Sequence, residues 1–514
     1  MFTAGCQFLL LTLVFTPADA TGDFMDSPGI SFIEINVSQT EKNALQANPR
    51  AYVRAQMAEK QLIGYRIGAV GASVPLEVGL HLKGSAGSFR NFDDRPALTI
   101  NMDKYKKKQN FHGMDKWHLN NSVQDGGYLH ESMARWLFIK AGLPATRARH
   151  GWLKLNGRDL GLFVLVEGFD KPWLKRQFGR NDGNFYDGGF CQDLDGGKKL
   201  LEGTGTDQPD LKKVWAAMGE GDPVKRLAKL DLLVDIDQVL AFAAMENFMA
   251  HWDGYVNNVN NYRIYFDPAR NGKMILVPSG MDQMWGDPNF NIFGSRGALI
   301  GRLFECPGVR VRYQSTLRKL HQVVHDVPAF NTRVDALVAG VKPMVDLKGQ
   351  AEDLKRRFAA RALRVQQLLS EIPETPEFQG QSPLRMKGFS VSAEQGPLKA
   401  EIAQENNLPL LRINGGQGVA SFRKVVALEP GVYRFEAQTR TRNVIGRQEA
   451  YTGAGIRQSG MSRANSLVGT VGWTQLVHEL KVEQSGPVTL VLELRCESGE
   501  ADFNADSVTL TKVR

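Results

Sequence analysis

Hydrophobic and polar positions along the chain follow two regimes that meet near residue 372. Before that point, segments alternating with period two interleave with segments at helical spacing. Residues 30–36 (ISFIEIN) read as a first strand. Residues 40–60 are mixed and polar, and a helix is expected around Tyr52 to Leu62. GYRIGAV, PLEVGLHLKG and ALTINMD then alternate as strands across residues 63–103, with glycine-rich joints. Residues 128–141 carry Leu129, Met133, Trp136, Leu137 and Ile139 at helical spacing, and Gly142 and Pro144 stop that helix. RHGWLKLNG and GLFVLVEGFD follow as strands around Asn156-Gly157, and a short helix is expected over about 172–178. Residues 223–230 and 236–252 are helical, with Asp235 or Asp237 as the cap of the second. NYRIYFD and KMILVP form a hairpin around Asn271-Gly272, and residues 308–371 return to helix.

Beyond residue 372 the helical period disappears. Residues 372–385 (IPETPEFQGQSPLR) hold three prolines and few apolar residues, a linker composition. From 386 to 514 the segments GVYRFEAQTRT, TQLVHELKVE, GPVTLVLELRCE and ADSVTLTKV alternate between turns, the pattern of a β-sandwich. The expected organisation is therefore an α+β body over 21–371, a linker over 372–385 and an all-β sandwich over 386–514.

Composition narrows the class. The chain has 514 residues, 42% hydrophobic and 23% charged, which excludes a disordered chain, a collagen and a small disulfide scaffold. The net charge of +8 is modest, and Lys104 to Lys108 is the single tight basic run, so no nucleic-acid partner is expected. An apolar run, Phe8 to Phe15, precedes Ala18-Asp19-Ala20, the shape of a secretory signal peptide cut after Ala20. A secreted or cell-envelope location follows as an expectation, and no transmembrane segment is expected. Cys191, Cys306 and Cys496 are sparse and widely spaced, so neither a disulfide framework nor a zinc site is expected.

Candidate chemistry concentrates in residues 251–286. Asp253 follows a long apolar helix, Asn258 comes five residues later, and Asp282 ends a strand beyond the hairpin. Phosphoryl transfer needs a carboxylate beside the attacking hydroxyl and oxygen ligands for magnesium, and this order supplies them. His251-Trp252-Asp253-x4-Asn258 also has the H-x-D-x4-N spacing of a kinase catalytic loop. The same residues could equally build turns. Gly84-Ser85-Ala86-Gly87-Ser88, flanked by Lys83 and Arg90, is a small-residue loop whose N–H groups could cradle phosphates, or a plain hairpin tip. The absence of H-E-x-x-H, C-x-x-C and G-x-S-x-G motifs argues against a zinc enzyme and an α/β-hydrolase.

Six windows taken together carry a resemblance. HLKGSAGSFRNFDDRPALTINMDKY, FHGMDKWHLNNSVQD, LHESMARWLFIKAGLPATRARHGWLKLNGRDLGLFVLVEGFDKPWL, DGNFYDGG, HWDGYVNNVNNYRIY and VPSGMDQMWG stand in this order. They resemble the spore-coat protein H (CotH) type of secreted atypical protein kinase over about residues 75–290, with weaker support to 370. The resemblance implies a two-lobed kinase-like fold holding ATP and Mg2+ or Mn2+, and transfer of the γ-phosphoryl to Ser or Thr of a protein. By the same resemblance Asp253 is the catalytic aspartate, Asp282 binds metal, and Asn258 is a second metal ligand. Lys83, Gly84, Ser85 and Gly87 would lie near the phosphates. Glu131 would pair a phosphate-binding cation, and Glu167 would sit at the hinge beside adenine. One departure stands out: Arg95 occupies the place where family members usually carry a lysine, and arginine is not geometrically equivalent at a phosphate site. Lys83 or Lys104 could substitute. Failing that, the chain would be a pseudokinase, a non-catalytic surface or envelope protein. The C-terminal segment resembles carbohydrate-binding-module-like sandwiches, which implies a glycan or cell-surface partner. Trp473 is the candidate docking ring, but one aromatic is not a platform, so it reads first as a core residue.

Overall fold

The computed structural model describes residues 20–27, 29–60, 62–63, 66–67, 74–448, 451–483 and 486–513. The expected signal peptide lies outside these residues apart from Ala20, as does most of GYRIGAV. Two compact units divide the chain: Met1–Cys306 with Thr316–Leu369, and Pro307–Ser315 with Ser370–Arg514.

In the first unit, period-two alternation builds a closed barrel. Its strands are β1 (Ile30–Asn36), β2 (Val53–Lys60), β3 (Leu76–Lys83), β4 (Ala97–Asn101), β5 (Lys116–Asn120), β6 (Ala148–Leu155) and β7 (Arg158–Glu167). The order around the barrel is β1-β2-β3-β4-β5-β7-β6. Closure comes from a parallel pairing of β1 with β6, Ile30 opposite His150 through Ile35 opposite Leu155. Inward residues such as Ile33, Ile35, Met57, Val78, Leu80, Leu98, Ile100, Trp117, Leu153, Phe163 and Leu165 share one core. The helix expected over residues 52–62 is instead β2. Its sequence, VRAQMAEK, is rich in helix formers, but Val53, Ala55 and Met57 are buried at every second position. Pairing to β1 and β3 on both sides overrides the local propensity.

Helix α1 (His130–Lys140) follows the fifth strand, and Leu129, Met133, Ala134, Leu137 and Phe138 are buried. A second sheet has the order β9-β8-β10-β11, from β8 (Phe185–Asp187), β9 (Leu200–Glu202), β10 (Tyr262–Asp267) and β11 (Lys273–Pro278). Helix α2 (Ile236–Phe248) is buried nearly all round, and Asp235 caps it by accepting from the Gln238 N–H at 3.1 Å. Helix α3 (Lys348–Glu371) buries Arg361 fully; its guanidinium donates to the carbonyls of Asn247, Phe248, Pro288 and Phe290. The short strands β8 and β9 lack a clear sequence period and were not expected, nor was a helix over Pro209–Met218, although Leu211, Val214, Ala217 and Met218 stand at helical spacing.

The second unit holds two antiparallel sheets around one apolar core. One is built from β12 (Leu384–Arg385), β14 (Lys399–Glu405), β15 (Leu408–Gly415), β17 (Gly431–Ile445), β19 (Gly469–Val482), β21 (Ser498–Asn504) and β22 (Thr509–Lys512). The other has the order β13-β16-β20-β18, from β13 (Ser390–Gln395), β16 (Gly418–Leu428), β18 (Gly453–Gln458) and β20 (Gly486–Cys496). Phe422, Phe435, Leu490, Leu492, Phe503 and Leu510 are among the core side chains. Two charge clusters accompany this core. Glu493, fully buried, is bound by Arg457 (2.9 Å), Arg463 (3.1 Å) and Arg495 (3.4 Å). Asp502 is held by Arg412 at 2.7 Å and by Arg440 at 2.7 Å. Burial alone would raise both carboxyl pKa values, but the arginines outweigh it and hold them below the ordinary range. Trp473 is not a core residue: it is 38% exposed on β19, with the Arg440 guanidinium 4.7 Å from the ring centre. Cys191, Cys306 and Cys496 are all free thiols.

Candidate active site

A cleft of about 440 Å³ in the first unit is lined from both sheets, from the Gly84–Ser88 loop and from α1. It brings together Lys83, Gly84, Ser85, Glu131, Glu167, Asp253, Asn258 and Asp282 of the expected set. Gly87 and Arg95 are not in its wall.

Asp253 owes its position to the end of α2. Glu246, fully buried near that end, accepts the N–H groups of Tyr255 (3.1 Å) and Val256 (2.8 Å) and so starts a single helical turn, Tyr255–Asn258. A side chain at Gly254 would run into that carboxylate, its Cβ 2.5 Å from Glu246 Oε1. The Asp253 carboxylate accepts from three amides: Asn258 Nδ2 (2.7 Å), Asn260 Nδ2 (3.1 Å) and Asn261 Nδ2 (2.8 Å). Val259 is held at φ +48°, a left-handed conformation that a β-branched residue rarely adopts. Strain of this kind is tolerated where surrounding contacts over-determine a loop, and here it turns the three asparagines onto one carboxylate. His251, also buried, lies 3.5 Å from Glu246 and within 3.2 Å of the Gly280 carbonyl, tying this loop to the segment bearing Asp282. Burial opposes its protonation, but Glu246 and the neighbouring acids outweigh burial and raise its pKa.

Asp282 follows β11. The His130 ring N–H at Nδ1 donates to its backbone carbonyl (2.7 Å), while Nε2 accepts from Arg357 (3.1 Å), which assigns the neutral tautomer. Burial, then the charge of Glu131, pushes the Asp282 carboxyl up to about 7. Among the described residues no cationic side chain lies within salt-bridge distance of it.

Lys83 ends β3 and donates to Asn120 Oδ1 (2.6 Å), and Asn120 Nδ2 donates to Glu131 Oε1 (3.1 Å). The other Glu131 oxygen is taken by Arg135, one turn along α1, at 2.7 Å. Lysine and glutamate are thus joined through an asparagine rather than paired directly. Crowding by the cleft walls lowers the Lys83 pKa to about 8, with Glu131 opposing the fall and Arg135 and Arg263 adding to it. In the Gly84–Ser88 loop, Gly84 and Gly87 have φ of +105° and +81°, and the Ser85 N–H is held by Ser88 Oγ (3.0 Å).

Two expected residues are used elsewhere. Arg95 points away from the cleft: it donates to the carbonyls of Asn121 (3.2 Å), Leu160 and Leu162, and its guanidinium sits 4.4 Å from the Phe163 ring centre. Standing just before β4 in sequence does not put it on the cleft face. Glu167 lines the cleft, but its carboxylate accepts from the Arg147 N–H (3.0 Å) and pairs with Arg176; burial still raises its pKa. Asn120, Arg135, Glu246, Asn260 and Asn261 were not anticipated. The run Asn257-Asn258-Val259-Asn260-Asn261 and the i, i+4 spacing of Glu131 and Arg135 were the available signals.

No group of three or more His, Cys, Asp or Glu is placed to hold a metal ion among the described residues. A magnesium ion shared with nucleotide phosphates needs only one or two carboxylates from the protein, and the uncompensated Asp282 fits that requirement.

Comparison with known proteins places these residues in a family. The family described as "CotH kinase protein" matches residues 80–357. The inner spore coat protein H of Bacillus subtilis (strain 168) is 22% identical over 266 residues, covering 47% of this chain and 72% of its own length. Among solved structures, a proinflammatory kinase of Helicobacter pylori aligns over 56% of this chain and 97% of its own at 9% identity, with a TM-score of 0.29. A carbohydrate binding module from Cellvibrio mixtus lichenase 5A, in complex with cellotriose, aligns over 24% of this chain and 98% of its own at 13% identity, with a TM-score of 0.18.

Proposed function

The chain belongs to the CotH kinase family, and from that premise we propose that it is an extracytoplasmic protein kinase of two-lobed architecture. It transfers the γ-phosphoryl of ATP to a Ser or Thr hydroxyl. The observation that carries this reading is the convergence of Lys83, Glu131, Asp253, Asn258 and Asp282 on one cleft, with Lys83 and Asp282 both lacking an opposite charge in contact. ATP would supply the transferable group, with Mg2+ or Mn2+ neutralising its charge.

The residues divide the work. Asp282 would hold the metal, and Asn258 would add its amide oxygen by giving up the hydrogen bond it accepts from Arg296 at 3.1 Å. Lys83, kept upright by Asn120, meets the phosphates beside Gly84 and Ser85. Asp253, oriented by its three amides, takes the hydroxyl proton as the hydroxyl oxygen bonds to the γ-phosphorus and the bond to the β–γ bridging oxygen breaks. Arg95 has a structural role here, so the cation that family members usually supply with a lysine at that position would come from Lys83. Phosphate transfer to a protein acceptor should fall about 10²–10⁴-fold in Asp253→Ala, the range for loss of a general base. Asp282→Ala should lose it as fully, and equal labelling by wild type and both variants would sink the assignment.

The exposed Trp473 favours an additional reading of the second unit, now proposed as a β-sandwich, as a glycan- or surface-docking module. Binding to a glycan array by the full-length Asp253→Ala protein, lost in Trp473→Ala, is the outcome that reading requires.

A further inference from the structure

The loop from Gly188 to Gln192 is pinned on both sides of one residue. The Gly188 N–H donates to the Tyr262 carbonyl (3.1 Å). The Cys191 N–H donates to Asn260 Oδ1 (3.4 Å), the Asn258 amide approaches Cys191 Sγ at 3.8 Å, and the Tyr262 hydroxyl donates to the Gln192 carbonyl (2.7 Å). What these ties leave outside is Phe190, 58% exposed and part of the cleft wall. Trp252, the residue before Asp253, is 48% exposed, lines the same cleft, and has its indole N–H fixed to Gln283 Oε1 (3.1 Å). Two large aromatic side chains are therefore held in water by hydrogen bonds around them, at the opening where Asp253 meets solvent. Exposed aromatic area held in a fixed place costs stability and rewards a partner that covers it.

Most polar groups on the Asn258–Asn261 side of these rings are already engaged. The amides of Asn258, Asn260 and Asn261 are spent on Asp253, the Asn258 carbonyl oxygen on Arg296 (3.1 Å), and the Gln283 carbonyl oxygen on Trp252. Phe190 has no polar edge of its own. A sugar acceptor would need free hydrogen-bonding partners next to the rings; an apolar side chain needs none. An extended peptide advances about 3.4 Å per residue and returns to the same face every second residue. A hydroxyl directed into the cleft therefore brings the side chains two positions before and two positions after it to the same wall.

We propose that Phe190 and Trp252 form the acceptor platform, selecting extended peptides with aromatic or large aliphatic side chains two residues to either side of the hydroxyl-bearing residue. The inference rests on the kinase reading for the role of Asp253, but docking is measurable without transfer. Three fluorescently labelled, end-capped heptapeptides test it by anisotropy against the full-length protein: Ala-Phe-Ala-Ser-Ala-Phe-Ala, Ala-Ala-Phe-Ser-Phe-Ala-Ala and the all-alanine version around serine. The first should bind at least tenfold more tightly than the other two. That preference should vanish in Phe190→Ser/Trp252→Ser, whose melting temperature stays at the wild-type value because both side chains are at the surface. Equal affinity for the three peptides, or a preference that survives the double substitution, overturns the proposal. So does displacement of the first peptide by a neutral oligosaccharide, which would assign the rings to sugar. If the first peptide docks as expected but is never phosphorylated with ATP and Mg2+, the kinase reading fails and the platform stands. Transfer to the all-alanine peptide at the same KM leaves the kinase reading intact and removes the platform.

Discussion

Both units bury charge, but they do so in opposite ways. In the cleft, two groups are left without an opposite charge in contact: Asp282 is pushed up to about 7 and Lys83 down to about 8. In the second unit, each buried carboxylate has two or more arginines, and Glu493 and Asp502 are held below the ordinary carboxylate range despite burial. The second pattern is charge completed by the fold, and the first is charge waiting for a counter-charge from outside. Strongly perturbed groups gathered in a cleft are what a ligand-binding site leaves in the absence of its ligand. Perturbation alone does not mark function, since Glu493 lies as deep in the protein. What separates the two cases is whether an opposite charge is in contact.

The comparison is broken most forcefully at Glu493. Glu493→Gln leaves Arg457, Arg463 and Arg495 around a neutral amide and should cost about 3–5 kcal/mol of stability. Chemical denaturation followed by tryptophan fluorescence measures the loss, and nucleotide binding to the cleft should be unchanged. An intermediate effect is expected at Arg95→Lys, which forfeits charge-assisted bonds to the Leu160 and Leu162 carbonyls, about 2 kcal/mol. Its affinity for ATP with Mg2+, by calorimetry, should match wild type, whereas Lys83→Met should abolish the heat of binding. A large gain of ATP affinity in Arg95→Lys would mean that Arg95, not Lys83, governs the phosphate site.

A third effect should appear as a dependence on pH. With a chelator present, the folded protein keeps a proton on Asp282 up to about pH 7, while the unfolded chain loses it near pH 4. The unfolded state then binds fewer protons, so this group's contribution makes stability fall as pH rises from about 4 to about 7. Asp282→Asn removes that slope. Its melting temperature should exceed wild type by an amount that grows across this window and levels off above it, on the order of 2–4 °C per kcal/mol. A constant difference at all pH values would show that Asp282 is not held protonated in the metal-free fold.

Much of this was readable from residue order, and the misses share a cause. Asp253, Asn258 and Asp282 stand out as candidates in the sequence because they are local to a loop and a strand end, and they do share the cleft. The partners that orient them do not stand out, because Glu246, His130 and Asn120 reach the site only through folding. Arg95 was misplaced for the converse reason: sequence neighbourhood identifies the strand but not which face a residue before it will take. β2 was misread because its residues favour helix in isolation, and only strands on either side make Val53, Ala55 and Met57 a buried row. Trp473 was assigned to the core on scarcity of aromatics, whereas stacking by Arg440 lets the ring stay at the surface.

The parallel pairing of β1 with β6 also sets the order in which the first unit can mature. β1 precedes every other strand of the barrel, yet one of its two neighbours, His150 to Leu155, arrives only after four other barrel strands and α1 have been synthesised. Until then the edge of β1 is an open template for foreign strands, and closure must bring together segments far apart in the chain, a slow step for any β topology. That delay makes the interval before residue 155 emerges the period of greatest exposure to aggregation.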